Sequence, residues 1–214
     1  VGLVSVLNEL APYALVCALT AMIARAGLPA PTQSVALFSA ALACTQFGCG
    51  LIFTLVVSVY VCRMQDAIGR GAWPLVGPRI WGALLAAVLC GAAGGAAMVA
   101  VEGLLYDLLG LSPEAREEVS PYYRARCASL GPIMAQRVLL GVFEAFGRGV
   151  WGMAGNTLSA LSEALMAYFF VHHLKSGLAG VGLACAGSNA MFAILLVLVL
   201  PLFQPREAGG GGRF

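Results

Sequence analysis

The sequence has very little charge for its length. Of its 214 residues, 10% are Asp, Glu, Lys or Arg and 60% are hydrophobic, and the mean hydropathy is +0.90. Water-soluble domains carry roughly a quarter charged residues, because their surfaces must be solvated. This scarcity excludes an ordinary soluble globule and indicates that most of the surface faces lipid.

Patterns typical of several other function classes are also missing. The net charge is only +2 and the basic residues are dispersed, which does not favour a nucleic-acid surface. There is no H-E-x-x-H motif, no G-x-S-x-G motif and no paired intramembrane Asp, so an enzyme is disfavoured. The seven cysteines form no C-x-x-C pair and are interpreted as helix-packing residues. We expect no enzyme activity, no cofactor and no nucleic-acid partner.

Long apolar stretches account for most of the chain. A membrane-spanning helix needs about 20 apolar residues, and lipid offers no hydrogen-bond partner to an open strand, so each stretch is expected to be a helix. Six such stretches lie near residues 3–24, 34–61, 78–101, 122–145, 150–174 and 178–203. The sequence therefore predicts an all-α, multi-pass integral membrane protein.

Short polar breaks separate the apolar stretches. Ser112-Pro113 predicts a helix start, because Ser is a good N-cap and Pro fits the first turn. The Gly-Arg-Gly at 147–149 and the Lys-Ser-Gly at 175–177 predict tight turns. We expect residues 1–204 to form one six-helix transmembrane lobe and residues 205–214 to form a flexible Gly-rich tail.

Glu163 is the strongest functional candidate among the polar residues of these stretches. An ionisable side chain inside a membrane span is costly unless it is neutral, paired or facing water. Ser159 and Tyr168 lie about one turn on either side of Glu163, and the three are interpreted as a polar stripe. Such a carboxylate can take up and release a proton and so couple transport to a gradient. The alternative is a structural acid paired with Arg137.

Further polar residues occur in the other stretches. Arg137 lies deep in the fourth stretch and needs a partner or a cavity. Gln46, Asn156 and Asn189 are neutral and either line a polar cavity or link helices by hydrogen bonds. Glu9 lies near the chain start, either at the membrane interface or facing a pathway.

The order of several motifs resembles the N-terminal six-helix lobe of the multidrug and toxin extrusion (MATE) family. Residues 67–71, Ala-Ile-Gly-Arg-Gly, are similar to the family's Ala-Leu-Gly-x-Gly connector. The most specific block combines Leu-Leu-Gly-Leu-Ser-Pro-Glu at 108–114 with Ser-Pro-Tyr-Tyr-Arg-Ala-Arg at 120–126. Residues 141–147 and 177–184 also resemble glycine-rich family segments. Together these motifs extend over most of the chain.

The resemblance implies a fold, a function and a partner. Family members have twelve helices in two six-helix lobes with the substrate cavity between them, and this sequence matches one lobe. The implied function is a secondary active antiporter that exports organic cations, drugs or metabolites in exchange for H⁺ or Na⁺. Because the chain starts at Val1 without Met, we expect a fragment whose second lobe lies on the same parent chain or on a dimer mate. The alternatives are a lipid-linked oligosaccharide flippase of the same superfamily and a non-transporting six-helix scaffold.

The sequence departs from the family pattern at the expected ion site. The helix 1 position where many members carry a cation-binding Asp falls at Leu19, which cannot ionise, and the usual helix 5 Asn falls at Glu163. The candidates for cation coupling or substrate binding are therefore Glu163, Ser159, Tyr168, Gln46, Asn189 and Arg137.

Overall fold

Every regular element is a helix in the part of the chain that the structure describes. The computed structural model describes the backbone over residues 2–25, 31–52 and 58–203, and side chains over 14–25, 33–51 and 58–201. The side chain of Glu9 lies outside these residues. The helices are α1 (Gly2–Arg25), α2 (Pro31–Ile52), α3 (Ser58–Gly69), α4 (Trp73–Ala100), α5 (Glu102–Leu108), α6 (Pro113–Ala128), α7 (Leu130–Ala145), α8 (Gly149–Tyr168) and α9 (Gly177–Val199). A π-helical turn over Phe169–His173 extends α8, and a 3₁₀ turn over Leu200–Phe203 extends α9.

Helix length and surface composition support a helical membrane protein. Three helical segments are long and apolar enough to cross a membrane, namely Gln33–Leu51, Trp73–Ala100 and Gly177–Val199. Large apolar side chains such as Leu85, Leu165 and Leu198 are more than half exposed. A water-soluble surface rarely carries so many of these side chains, whereas a lipid-facing surface requires them.

The helix boundaries follow local signals. The hydroxyl of Ser112 accepts a hydrogen bond from the amide of Ala115 at 3.3 Å, which confirms the predicted helix start. Gly147 adopts a φ of 67° and Lys175 a φ of 56°, so both predicted turns are present. The left-handed conformation at Gly147 suits a residue without a Cβ.

The predicted fourth stretch is divided at Ser129 into α6 and α7. Pro132 has no N–H, so it cannot donate to the carbonyl four residues earlier, and its ring crowds that carbonyl. The backbone stays hydrogen-bonded across the break, because the amide of Ser129 donates to the carbonyl of Ala125 and the amide of Ile133 donates to that of Ser129. Two hydrogen bonds thus bridge the point at which the helix is interrupted.

Two apolar clusters lie at opposite ends of the bundle, and α9 contributes to both. One contains Ala193 and Leu196 of α9 with buried residues of α3, α4 and α7. The other contains Leu178 and Ala184 of α9 with residues of α1, α2, α6 and the end of α8. The helix α9 therefore runs through the centre of the lobe and connects its two ends.

Glycine allows α4 to approach α6 and α7 closely. A Cβ built on Gly91 would lie 2.7 Å from the Cα atom of Gly131, and one on Gly95 would overlap the carbonyl oxygen of Cys127. Small residues at such crossings let helix backbones touch and gain dispersion contacts. The glycine- and alanine-rich segment of the third predicted stretch is thus a packing surface.

A buried carboxylate outside the apolar segments ties α5 to α6. Glu102 is 5% exposed; it accepts hydrogen bonds from Tyr106 at 2.9 Å and Ser120 at 2.5 Å and pairs with Arg124 at 2.7 Å. Burial alone would raise the pKa of Glu102, but the hydrogen bonds from Ser120, Arg124 and Tyr106 outweigh it and hold the pKa below its ordinary value.

Replacing Gly91 by Ala should destabilise the lobe, because the new methyl group meets the backbone of α7. We expect a loss of about 1–3 kcal/mol in the free energy of unfolding, as is typical of overpacking. Gly82→Ala in the same helix is the matched control, since a Cβ there has nothing within 4 Å. Thermal unfolding in detergent measures both; equal midpoints for the two variants would contradict the packing role.

The stability that Glu102 contributes should depend on pH. Its folded-state pKa is lowered, so the contribution is present above the unfolded-state value of about 4.3 and is lost as pH falls below it. The melting temperature of the wild type should exceed that of Glu102→Gln at about pH 6, and the gap should narrow towards about pH 3. Glu117→Gln, at an exposed carboxylate of α6, should show no such narrowing.

Candidate functional site

A polar cavity of about 160 Å³ lies where the two apolar clusters meet. Its wall is built from α1, α2, α6, α7, α8 and α9, and most of its polar side chains are at least half-buried. The polar side chains that line it are Thr45, Gln46, Tyr122, Arg126, Gln136, Arg137, Asn156, Ser159, Glu163 and Asn189. Apolar side chains such as Leu15 and Leu42 complete the wall. A cavity of this character inside an apolar bundle is the natural candidate site.

A buried ion pair joins α6 to α8 at the cavity. A guanidinium nitrogen of Arg126 lies 3.6 Å from a carboxylate oxygen of Glu163, and the two residues are 9% and 6% exposed. This separation exceeds the 2.7–2.9 Å typical of a direct charge-assisted hydrogen bond. The charges attract without a short hydrogen bond, which leaves the contact open to competition from another ion.

Cys185 of α9 links a third helix to the pair. Its thiol contacts the Arg126 guanidinium directly, and its backbone carbonyl accepts hydrogen bonds from Asn189 at 2.7 Å and Ser188 at 3.1 Å. The hydroxyl of Ser129 donates to the backbone carbonyl of Arg126 at 2.6 Å. The guanidinium is therefore held between α8 and α9, directly before the break that separates α6 from α7.

The structure brings five of the six predicted site residues to this cavity. Glu163 and Ser159 of α8, Gln46 of α2, Arg137 of α7 and Asn189 of α9 all line it.

Tyr168 lies elsewhere. It is 51% exposed, and its ring contacts His172 at 4.7 Å between centroids. Five residues of helix correspond to about 500°, so Tyr168 faces well away from Glu163. The polar stripe continues instead to Asn156, one turn before Ser159.

The ion pair of Glu163 is formed with Arg126, whereas the sequence suggested Arg137 as the partner. Arg126, Tyr122 and Gln136 are not among the site residues predicted from the sequence. A signal for the first two was present: cavity-lining positions 122, 126, 130, 133 and 137 are spaced by three or four residues, which is one face of a continuous helix. That face persists across the break at Ser129.

The wall determines which chemistry is possible. Leu19, at the position where the resembled family carries an Asp, lines the same cavity but cannot ionise. Among the described residues, no group of three His, Cys, Asp or Glu side chains is placed to hold a metal ion, and the cysteines are free thiols. The wall offers a carboxylate, two guanidinium groups, amides and hydroxyls, a set suited to binding polar or charged solutes and to exchanging a proton.

Solved structures share this arrangement of helices. An inward-facing conformation of a multidrug resistance MATE family transporter of the MOP superfamily superposes with a TM-score of 0.81 at 21% identity, covering 92% of this chain and 45% of that chain. The fold is that of half a MATE transporter. A MATE in complex with MaL6 gives a TM-score of 0.80 at 21% identity, covering 92% of this chain and 44% of that chain.

The MATE-type fold confirms the family resemblance at the level of structure. No protein-family model matches the sequence, and no curated protein matches it. The chain spans less than half the length of the MATE transporters that it matches. The helices that surround the polar cavity therefore correspond to about half of such a transporter.

Removing one partner of the buried pair should destabilise the lobe more than removing both. Arg126→Gln leaves the carboxylate of Glu163 buried without the guanidinium of Arg126. This should lower the free energy of unfolding by about 3–5 kcal/mol. The double variant Arg126→Gln, Glu163→Gln replaces both charges by amides and should recover most of that loss. Thermal unfolding of the two variants and the wild type measures the difference; a double variant no more stable than the single one would contradict the pairing.

Proposed function

We propose that this chain forms one six-helix lobe of a secondary active antiporter, which exports a small amphipathic organic solute in exchange for H⁺ or Na⁺. The observation that carries the proposal is the buried Glu163–Arg126 pair on the wall of a polar cavity, within the fold of half a MATE transporter. A carboxylate held inside an apolar bundle is a typical coupling group, because its charge state alters the contacts around it.

The coupling step follows from competition for one carboxylate. A proton bound to Glu163 removes the charge that holds Arg126, and a Na⁺ ion would have to displace the guanidinium from the same oxygen. Either event removes the attraction between Arg126 of α6 and Glu163 of α8, which leaves Cys185 of α9 as the contact of the guanidinium. The ion thereby changes the shape of the wall against which the solute binds. Because the solute then binds the two states of the wall differently, ion binding and solute binding are linked.

Transport also requires a second lobe. Alternating access works by rocking one repeat against another around a shared site. We propose that the six predicted stretches all span the membrane and that the second lobe lies on the same parent chain or on a dimer mate. Organic cations are the substrate class that the resemblance suggests, so a flux assay should compare a cation with an anion of similar size.

Glu163→Gln should abolish ion-coupled transport. In proteoliposomes that contain the protein with its second lobe, an imposed pH or Na⁺ gradient should accelerate the flux of either benzyltrimethylammonium or phenylmethanesulfonate through the wild type. The acceleration should fall at least tenfold in Glu163→Gln and in the double variant with Arg126→Gln, since neither retains the carboxylate.

Glu144→Gln is the matched control. It makes the same change at an exposed carboxylate of α7 and should keep full acceleration. Gradient-driven flux that persists in Glu163→Gln would remove the coupling role from this residue. A wild type that inserts correctly yet moves neither probe would refute the antiporter and leave the scaffold as the better description.

A further inference from the structure

A cleft lies between α3 and the start of α4, apart from the polar cavity. Its volume is about 420 Å³, and its wall is formed by Tyr60, Arg63, Asp66, Pro78, Arg79 and Gly82. None of these six residues lines the polar cavity. A ligand bound in the cleft is therefore distinct from a solute bound in the cavity.

Two arginines line the cleft, and among the described residues no carboxylate pairs with Arg63 or Arg79. A guanidinium nitrogen of Arg79 donates a hydrogen bond to the backbone carbonyl of Arg63 at 2.7 Å, which holds this group of α4 against α3. The carboxylate of the wall, Asp66, pairs with Arg70 at 2.7 Å. The cleft therefore presents two positive charges that the described carboxylates leave open to an anion.

The length of α4 places the cleft near the lipid head groups. Trp73–Ala100 is long and apolar enough to cross a membrane. Its 28 residues extend over roughly 42 Å, which exceeds the hydrocarbon core of about 30 Å. Arg79 lies roughly 9 Å along the axis from Trp73, close to the boundary of that core. Tyr60 is 39% exposed, and tyrosine is typical of this boundary.

An apolar face of α4 continues from the cleft towards the membrane centre. Gly82 leaves open space, since a Cβ built there would have nothing within 4 Å. Leu85 and Leu89 follow Gly82 at a spacing that keeps all three on one face of the helix, and the two leucines are 61% and 58% exposed. A molecule with its charged group in the cleft can therefore lay an apolar chain along this face.

We propose that the cleft binds the head group of an anionic phospholipid, with its phosphate held between Arg63 and Arg79 and an acyl chain along the exposed face of α4. Guanidinium groups donate parallel hydrogen bonds to phosphate oxygens, and the hydroxyl of Tyr60 supplies a further donor. Basic pockets between membrane helices bind such head groups. A zwitterionic head group brings a cation of its own to the two arginines, so an anionic one is favoured.

Quenching by brominated phospholipids tests this preference. The full chain with Trp151→Phe keeps Trp73 and Trp81 as the tryptophans of α4, and Trp81 is 53% exposed. It is reconstituted in phosphatidylcholine nanodiscs that contain a small fraction of brominated phosphatidylglycerol or of brominated phosphatidylcholine with the same acyl chains. The binding constant of phosphatidylglycerol relative to phosphatidylcholine should be at least about tenfold, since two arginines contribute.

Variants locate the binding. Arg63→Gln should lower the relative binding constant about fivefold, the effect typical of one arginine near anionic lipid. Arg79→Lys keeps the charge but loses the planar set of donors, so it should lower the constant less. Arg148→Gln is the matched control and should leave the constant unchanged. It removes an exposed arginine at the same end of the lobe, where Phe146 and Trp73 contact one apolar cluster.

Three outcomes would overturn the proposal. Equal binding of the two lipids would remove the preference for an anion. An equal loss in Arg63→Gln and Arg148→Gln would show general attraction to surface charge in place of a site. Relief of the quenching by excess inorganic phosphate at constant ionic strength would assign the cleft to free phosphate, because the membrane should hold a lipid beside the cleft against such competition.

The result is independent of transport. The measurement uses no gradient and no transported solute, and the variants leave Glu163 and Arg126 unchanged. Preferential binding of phosphatidylglycerol without ion-coupled flux would support the lipid site and reject the antiporter, whereas coupled flux without that preference would do the reverse.

Discussion

The packing of this lobe depends on the placement of one guanidinium group. Two charges removed from water are tolerated only when they meet each other and further polar groups. Arg126 therefore requires α8 to approach α6 at Glu163 and α9 to approach at Cys185. Once these three helices are fixed, the remaining polar side chains of α2, α7 and α8 surround a space that they do not fill. The cavity is thus a consequence of how the pair is held.

Small residues make that approach possible. A Cβ on Gly182 of α9 would lie 3.0 Å from the Cα atom of Tyr122 in α6, and one on Gly152 of α8 would lie 3.3 Å from a methyl carbon of Leu140 in α7. A larger side chain at Gly182 would separate α9 from α6, which Cys185 and Arg126 join, and one at Gly152 would separate α8 from α7. Lipid gives apolar helices little reason to associate by burial alone, so close packing and polar contacts must act together. The glycines and the charges are two parts of one arrangement.

The sequence was sufficient for much of the fold and for part of the site. Apolar stretches, the cap at Ser112 and the turn at Gly147 depend on local chemistry, so they could be predicted, and motif order indicated the family fold. The partner of Glu163 depends on which helix faces meet across the bundle, and periodicity within one helix does not determine this. Tyr168 was grouped with Glu163 by nearness along the chain, although five residues of helix turn it to another face. The face shared by Arg126 and Arg137 could be read from their spacing, because the sequence predicts one continuous stretch there.

The altered ion site connects coupling with selectivity. In the resembled family the ionisable group of helix 1 stands at the position of Leu19, whereas the described carboxylate here comes from α8 and lies against a guanidinium. A carboxylate with no cation beside it attracts any positive charge that enters, but one paired with Arg126 does so only after the pair opens. Protonation of Glu163 removes the charge that attracts Arg126 across the pair. If the pair is the coupling device, a proton therefore opens it by neutralising the carboxylate, whereas another cation has to compete with Arg126 for the same oxygen.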